Sequence, residues 1–354
     1  MSTSGTLFNN SDIVASSLLL VTSAVTKRII FDIKYLRMDV ATKVTKYVSD
    51  ARILWKALNG ICVIYKPVDK PFLRVRNTVI KGLCEDLNDM HVRPPSQYVE
   101  VQGKTNEPMK VVVHPSFADH VLVVGPRYLP EDFKLFGANL LGRDTSGVMV
   151  CGINEGTKLI HKIRNSKPTS FFKIKGVLGE ATDNYYKTGK IVEKSTYNHV
   201  KRIIIDKLCA TIQSSHQKKM FELCGVDIQS QAAYELALKG PIRPADPIIP
   251  MIYTIKCTDF TPPEFTLEIV AINMNEMYLK TIIHDLGIKL HTNATCTQIQ
   301  CTQYGLFSLE HALLSKHWDL QSVLTNMRHC REILDKNPFL LHQESPTLME
   351  GDTT

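Results

Sequence analysis

Short apolar runs constrain this chain most, because turn residues bound each of them and each has the length of a buried strand. The runs cover residues 60–65, 111–113, 121–124, 147–151, 171–177, 248–255 and 264–272. Segments with helical spacing of apolar residues separate some of these runs but not others. Such irregular alternation predicts a mixed α+β domain rather than a regular parallel sheet.

The helical segments are recognised by apolar residues that recur three or four positions apart. They predict helices at 73–90, 155–164, 200–212 and 232–239, and a later helix that ends at Gly287. Residues 91–110 are polar and contain proline, which predicts a loop. The first 55 residues carry no strand pattern, so the packed domain is expected to start at Gly60.

Composition favours a globular chain with reduced thiols. The 354 residues are 44% hydrophobic and carry a net charge of +7, which suits an anionic partner such as nucleic acid, although solvated lysines alone would give the same sum. The nine cysteines form no CxxC pair, as in an intracellular protein. His291, Cys296 and Cys301 lie close in sequence but match no zinc spacing, so no metal site is predicted.

The N-terminal segment offers two interpretations. Residues 14–25 are apolar, lie among serines and threonines and precede Lys27 and Arg28, as in a cleaved organelle transit peptide. A short buried helix or an unstructured extension fits equally well. The run is shorter than the roughly 18–20 residues that cross a bilayer, and no membrane span is predicted.

One basic segment, residues 158–175, contains no acidic residue. Its cations can neutralise phosphates, and its phenylalanines Phe171 and Phe172 can stack on bases, so the segment is a candidate RNA contact. A solvated helix face with two core phenylalanines explains it equally well. The candidate RNA-binding residues are Lys158, Lys162, Arg164, Lys167, Lys173 and Lys175.

The stretch LLGRDTSGVMVCG, residues 140–152, places Asp144 in a glycine-bounded turn before a buried strand. A rigid strand is a good support for a reactive carboxylate. Aspartate is also common in turns for its backbone hydrogen bonds alone.

Several ordered segments resemble the TruB family of RNA pseudouridine synthases, especially its animal mitochondrial mRNA branch. The resemblance covers residues 55–320, and its segments include ALNGICVIYKP at 57–67, TSGVMVCGINEGTKL at 145–159, GVLGEATDNYYKTGKIVEKSTYNHV at 176–200 and HDLGIKL at 284–290. It implies the pseudouridine synthase fold, a mixed and mainly antiparallel central sheet with flanking helices. The chain would then divide into an N-terminal extension (1–55), a synthase domain (56–320) and a C-terminal helix with a disordered tail (321–354).

The resemblance also implies a reaction. Enzymes of this family flip a uridine out of RNA, detach the base from ribose C1′, rotate it and rejoin it through C5, without cofactor or metal. An ionised aspartate starts the reaction, an arginine pairs with it and an aromatic ring stacks on the base. The family's stacking aromatic residue corresponds to Phe172, and its arginine corresponds to Lys280. Lys66 belongs to the family's Lys-Pro turn. These three are the candidate substrate-binding residues. Alternatively, Lys66 is a surface lysine beside a proline turn, and Lys280 is an ordinary helix-face lysine.

The aspartate position itself departs from the family pattern. It falls on Gly142, and Asp144 stands two residues later. A shift of two residues moves a carboxylate by up to about 6–7 Å, so Asp144 replaces the family aspartate only if the loop takes a different conformation.

Three functions therefore stay open. The chain is a synthase acting on mitochondrial mRNA, rRNA or tRNA through Asp144, or an inactive RNA-binding or assembly protein that keeps the scaffold, or a mitochondrial protein-interaction module with an incidental basic surface.

Overall fold

One sheet of eight strands organises the chain. The structure, a computed structural model, describes residues 50–90, 97–116 without 105 and 107, 121–238, 242 and 249–338. The sheet contains β1 (Gly60–Lys66), β4 (Leu135–Gly137), β5 (Thr145–Ile153), β6 (Ser170–Leu178), β9 (Met251–Thr261), β10 (Glu264–Ile272), β11 (Ala294–Tyr304) and β12 (Phe307–Ser308). Two further pairs of strands form separate two-stranded sheets, β2 (Gln97–Gln102) with β3 (Lys110–Pro115), and β7 (Glu180–Thr182) with β8 (Ile191–Lys194).

The order of the main strands is β1-β5-β11-β6-β10-β9, with β4 on β5 and β12 on β11. All of these pairs are antiparallel except β5 with β11. The predicted mixed, mainly antiparallel sheet is therefore confirmed.

Several helices pack against the sheet. The helices of seven or more described residues are α1 (Ala51–Ala57), α2 (Phe72–Asn88), α3 (Gly156–Asn165), α4 (Arg202–Leu223), α5 (Gln231–Leu238), α6 (Glu276–Lys289) and α7 (Leu320–Lys336). Helix α6 lies against β11, α4 lies against β9, and α7 lies against β1. Short 3-10 turns occupy Pro130–Asp132, Leu309–His311 and Ser315–His317.

Strand β5 is the most enclosed strand, because all nine of its residues are buried. Its Val148 and Val150 join a core cluster with residues of β1, α3 and α7. Gly147 has a φ of +120°, and a Cβ there would overlap the Cys301 backbone, so the close approach of β5 to β11 requires glycine.

Helix α7 is tied to β1 by a buried amide. Asn326 Oδ1 accepts from the Val63 backbone N–H at 2.8 Å, and Asn326 Nδ2 donates to the His311 carbonyl at 2.7 Å. Cys330 and Leu334 of the same helix enter the core cluster. The C-terminal helix is thus an integral part of the packed domain.

Four sequence predictions need correction. The 91–110 segment is not only a loop, since β2 pairs there with β3. Val121–Val124 is a single helical turn and not a strand. Helix α6 ends at Lys289, two residues beyond Gly287. Packed residues begin before Gly60, because Ala51 and Leu54 of α1 are buried.

Other predicted elements are confirmed. Helices α2 and α3 and strands β1, β5, β6 and β10 coincide with predicted segments to within a few residues. The N-terminal segment 14–25 and the chain end after residue 338 lie outside the described residues. The proposed division into extension, synthase domain and tail stays a prediction.

The nine cysteines are free thiols, and eight of them are buried. No helix among the described residues has the length and apolar character needed to cross a membrane.

Candidate active site

Asp144 immediately precedes β5, so its position is fixed by the most buried strand of the sheet. Its carboxylate faces Lys280, which α6 presents: Lys280 Nζ lies 2.6 Å from Asp144 Oδ2. The Asp144 side chain is 16% exposed and the Lys280 side chain is 8% exposed. A hydrogen bond this short between a carboxylate and an ammonium group, in so sheltered a place, fixes the orientation of both side chains.

Lys280 also contacts a second carboxylate, four residues earlier on the same helix face. Its Nζ lies 3.1 Å from Glu276 Oε1, and the Glu276 side chain is 17% exposed. Burial alone would lower the pKa of Lys280, but the hydrogen bonds to Asp144 and Glu276 outweigh it and the pKa lies above its ordinary value. Lys280 is therefore a charged bridge and not an ordinary helix-face lysine.

The other oxygen of Glu276 holds the turn itself. Glu276 Oε2 accepts from the backbone N–H groups of Asp144 and Thr145, both at 2.9 Å, and from Thr145 Oγ1 at 2.8 Å. Three donors on one oxygen fix the backbone on which the Asp144 side chain is mounted.

Lys66 holds the same turn from the opposite strand. It ends β1, is 0% exposed, and its Nζ donates to the carbonyls of Thr145 at 2.7 Å, Pro67 at 3.1 Å and Arg143 at 3.3 Å. The surface-lysine interpretation is wrong. The side chain is enclosed by backbone carbonyls, so Lys66 supports the loop and is not placed to contact a substrate.

Tyr186 completes the surroundings and was missed by the sequence analysis. It is 2% exposed, its hydroxyl donates to the Asp144 carbonyl at 3.5 Å, and Lys280 Nζ lies 4.9 Å from the centre of its ring. The ring face offers Lys280 a cation–π contact in addition to its two carboxylates. Burial raises the pKa of Tyr186, so its hydroxyl stays protonated as a donor.

Glu276 was missed as well. Its separation of four residues from Lys280 is the spacing of an ion pair on a helix, and this was the available signal. The hydrogen bonds of Glu276 to the turn join segments more than 130 residues apart, and local sequence patterns do not predict such contacts.

Gly142 lies against this cluster. A Cβ built on Gly142 would overlap the Glu276 carboxylate and lie 2.9 Å from Glu276 Cβ. An aspartate at position 142 cannot coexist with the observed Glu276, so restoring the family residue by Gly142→Asp alone would disrupt the turn.

A cavity of about 510 Å³ is lined by residues that flank the cluster in sequence, whereas Asp144, Glu276 and Lys280 themselves do not line it. Its walls include Leu141, three residues before Asp144, and Met274, two residues before Glu276. Phe172 and Tyr304 supply aromatic surface, and Arg164 and Lys167 supply positive charge. The volume is in the range of small-ligand sites, and the lining can accept an aromatic base with an anionic group.

The basic segment does not form one surface. Lys158 and Lys162 are exposed on α3, one turn apart, while Arg164 and Lys167 line the cavity. On β6, Phe172 and Ile174 are buried, whereas Lys173 and Lys175 alternate with them and are exposed on the opposite face of the sheet. The structure therefore brings Phe172, Arg164 and Lys167 together and separates Lys173 and Lys175 from them.

His291, Cys296 and Cys301 do not form a ligand set. Cys296 and Cys301 are buried in β11, and His291 stands in the turn after α6. Among the described residues, no group of three His, Cys, Asp or Glu side chains is placed to hold a metal ion.

The titration of Lys66 gives a test of this geometry. Burial lowers its pKa from 10.5 to about 8. Between these values the unfolded chain binds more protons than the folded chain, so the Lys66 contribution to the free energy of unfolding rises with pH. We expect the stability of the wild type relative to Lys66→Met to rise by roughly 1–3 kcal/mol between pH 8 and 10.5, measured by urea unfolding.

Lys81→Met serves as the control, because Lys81 is an exposed helix lysine whose loss removes a charge without a buried contact. Its stability difference from the wild type should stay flat over this range. A flat difference for Lys66→Met would contradict the burial of a titrating lysine.

Comparison with known proteins agrees with the sequence segments described above. The family model for the TruB family pseudouridylate synthase (N terminal domain) matches residues 139–274, which include the turn, Phe172 and the start of the β10–α6 connection. A Xenopus tropicalis protein named pseudouridylate synthase TRUB2, mitochondrial, is 36% identical over 288 residues, covering 78% of this chain and 87% of that protein. Its Homo sapiens counterpart is 35% identical over 278 residues, covering 77% and 83%.

A more distant relative is tRNA pseudouridine synthase B of Ureaplasma urealyticum, 26% identical over 51% of this chain and 78% of that protein. Among solved structures, the archaeal box H/ACA sRNP Nop10-Cbf5 complex gives 10% identity over 82% of this chain and 60% of that chain, with a TM-score of 0.38, which is too low to add to the fold assignment. The identity and coverage of the TRUB2 proteins decide the question: this chain belongs to the TruB family of pseudouridine synthases.

Proposed function

We propose that this protein isomerises uridine to pseudouridine in RNA, with Asp144 as the catalytic carboxylate. The observation that carries the proposal is the Asp144–Lys280 pair, in which a sheltered carboxylate is held at 2.6 Å by the lysine that stands at the family's arginine position. The pair retains the combination of carboxylate and cation that the reaction needs, although the carboxylate comes from a position two residues later.

Asp144 is better suited to react than Glu276. Both oxygens of Glu276 are engaged, one by Lys280 and one by three donors of the turn. Asp144 Oδ2 binds Lys280, while Oδ1 accepts no hydrogen bond from any described residue. A carboxylate with one tethered and one available oxygen can attack or abstract while its orientation is kept.

The substrate would enter through the adjacent cavity. A flipped uridine needs an aromatic surface for its base and cations for the flanking phosphates, and the lining combines Phe172 with Arg164 and Lys167. The charged flank continues along α3 to Lys162, which is exposed. Phenylalanine stacks on a base as tyrosine does but offers no hydroxyl.

The cellular setting is proposed from the relatives. The TRUB2 proteins are named as mitochondrial, and residues 14–25 with Lys27 and Arg28 have the composition of a transit peptide. We propose a mitochondrial RNA substrate, an mRNA, rRNA or tRNA, and a reaction that uses no metal or cofactor.

A second candidate function is RNA binding without catalysis. The observation that favours it is Gly142, because the family's aspartate position carries no carboxylate and its space is filled by Glu276. Under this alternative the Asp144–Lys280 pair would only stabilise the turn, and the basic cavity would hold RNA without converting it.

Tritium release tests the catalytic proposal directly. Isomerisation replaces the C5–H bond of uridine with a bond from C5 to C1′, so RNA labelled with tritium at C5 loses its label to water. We expect release by the purified protein and a loss of at least about 1000-fold with Asp144→Asn, which keeps the shape of the side chain and removes its charge.

Asp69→Asn is the matched control, because Asp69 is an exposed carboxylate whose backbone N–H binds the Arg143 carbonyl of the same turn. It should release tritium at nearly the wild-type rate. Full activity of Asp144→Asn would exclude Asp144 from the mechanism, and an inactive wild-type protein that still binds RNA would leave the second candidate.

RNA binding distinguishes the cavity from the rest of the basic segment. We expect the double charge reversal Arg164→Glu with Lys167→Glu to weaken binding of a uridine-containing RNA by about tenfold or more, and to reduce the slope of log K against log salt by about two. Fluorescence anisotropy over a salt series measures both quantities.

The control is Lys173→Glu with Lys175→Glu, the same charge change on the opposite face of the sheet. It should change the dissociation constant less than threefold. Equal losses for the two double variants would mean that net charge, and not the cavity, governs binding.

A further inference from the structure

Glu276 links three parts of the site that come from distant stretches of the chain. One of its oxygens accepts from Asp144 N, Thr145 N and Thr145 Oγ1, and the other contacts Lys280 Nζ. The residue stands at the first position of α6, where the helix dipole favours a negative charge. The carboxylate therefore couples the turn to the helix that carries the cation.

The absence of a side chain at Gly142 makes room for the Glu276 carboxylate. The backbone of Gly142 is outside the left-handed region, so its conformation does not require glycine. Its missing side chain matters instead, because a Cβ would overlap the Glu276 carboxylate. Glu276 cannot move away cheaply, since both of its oxygens are bound.

These contacts decide where the Asp144 carboxylate lies. The two backbone N–H groups on Glu276 Oε2 belong to Asp144 itself and to the next residue, so the turn cannot rotate without breaking them. Lys280 is held between the two carboxylates at 2.6 and 3.1 Å. Losing Glu276 would free the turn and leave Lys280 with one carboxylate partner.

We propose that Glu276 is a positioning residue that fixes Asp144 for reaction, and that Gly142 is the complementary space it requires. The inference rests on the proposed function and deepens it. Glu276 acts through Asp144 and Lys280 and does not touch the substrate, so its loss should lower kcat while substrate binding is kept. A displacement of about 1 Å at a reacting group costs on the order of 100-fold in rate.

The first test compares Glu276→Gln with the wild type in the tritium-release assay. Glutamine keeps the length and an acceptor oxygen but loses the charge and offers Lys280 a second set of donors. We expect kcat to fall about 10- to 100-fold, with KM and the RNA dissociation constant within twofold of the wild type. Glu268→Gln, an exposed carboxylate on β10, is the control and should leave both parameters unchanged.

The second test is a cycle of Gly142→Ala and Glu276→Ala. Alone, Gly142→Ala should lower kcat about 10- to 100-fold, because its Cβ displaces Glu276. In the Glu276→Ala background the same change should cost less than twofold, since the overlapping carboxylate is gone. A merely destabilising glycine substitution would cost the same in both backgrounds.

Circular dichroism and RNA binding show whether each variant folds. If an alanine variant fails to fold, the result for Glu276→Gln alone decides the proposal. A kcat of Glu276→Gln within twofold of the wild type, or equal effects of Gly142→Ala in both backgrounds, would overturn the positioning role while the proposed function stands. A wild-type protein that releases no tritium would overturn the proposed function, and the catalytic role of Glu276 with it.

Discussion

A sheltered cluster of two lysines and two carboxylates controls the geometry around the turn at 142–145. Lys280 contacts both carboxylates directly, and Lys66 binds the backbone carbonyls on either side of Asp144. Removing charges from water costs several kcal/mol each, which close partners and hydrogen bonds must offset. Here two lysines face two carboxylates. Carbonyls of the turn accept from Lys66, and N–H groups of the turn donate to Glu276, so these buried polar groups have partners. The turn is therefore held by ion pairs and hydrogen bonds in addition to packing.

The sheet makes this cluster feasible. Strand β1 delivers Lys66 from one side of β5, and β11 lies parallel to β5 on the other side, with Gly147 allowing the close approach. Helix α6 covers β11 and presents Glu276 and Lys280 one turn apart towards the start of β5. The reactive carboxylate we propose is thus mounted on a strand and oriented by a helix, and neither element alone could hold it. The same arrangement leaves a basic, aromatic cavity next to the turn.

Much of the fold followed from local patterns, whereas the connections within the site did not. The strands β1, β5, β6 and β10 are predictable because each is a turn-bounded apolar run, and Lys280 and Phe172 are named as candidates only through the ordered family segments. The sequence predicts a strand at Val121–Val124, but the segment is one helical turn, because four apolar residues fit either structure. The segment 158–175 does not form one surface, because the change from helix to strand period places Lys173 and Lys175 on the face of the sheet opposite Phe172. The sequence does not identify Glu276 as a site residue, because the turn residues that it binds are distant in sequence. The need for glycine at 142 is evident only from the structure, where Glu276 occupies the space of a Cβ.

The most direct test of the account is the interaction between Asp144 and Lys280, measured by a double-mutant cycle in urea unfolding with Asp144→Asn, Lys280→Met and the double variant. Lys280→Met leaves the Asp144 carboxylate without its cation, and Asp144→Asn leaves Lys280 with Glu276 as its remaining carboxylate partner. The double change removes both members of the Asp144–Lys280 pair at once. We predict a coupling of about 1.5–3 kcal/mol between the two positions. Additive effects within about 0.5 kcal/mol would contradict it, because the carboxylate would then not be held by the lysine and the two-residue displacement from position 142 would have no structural support.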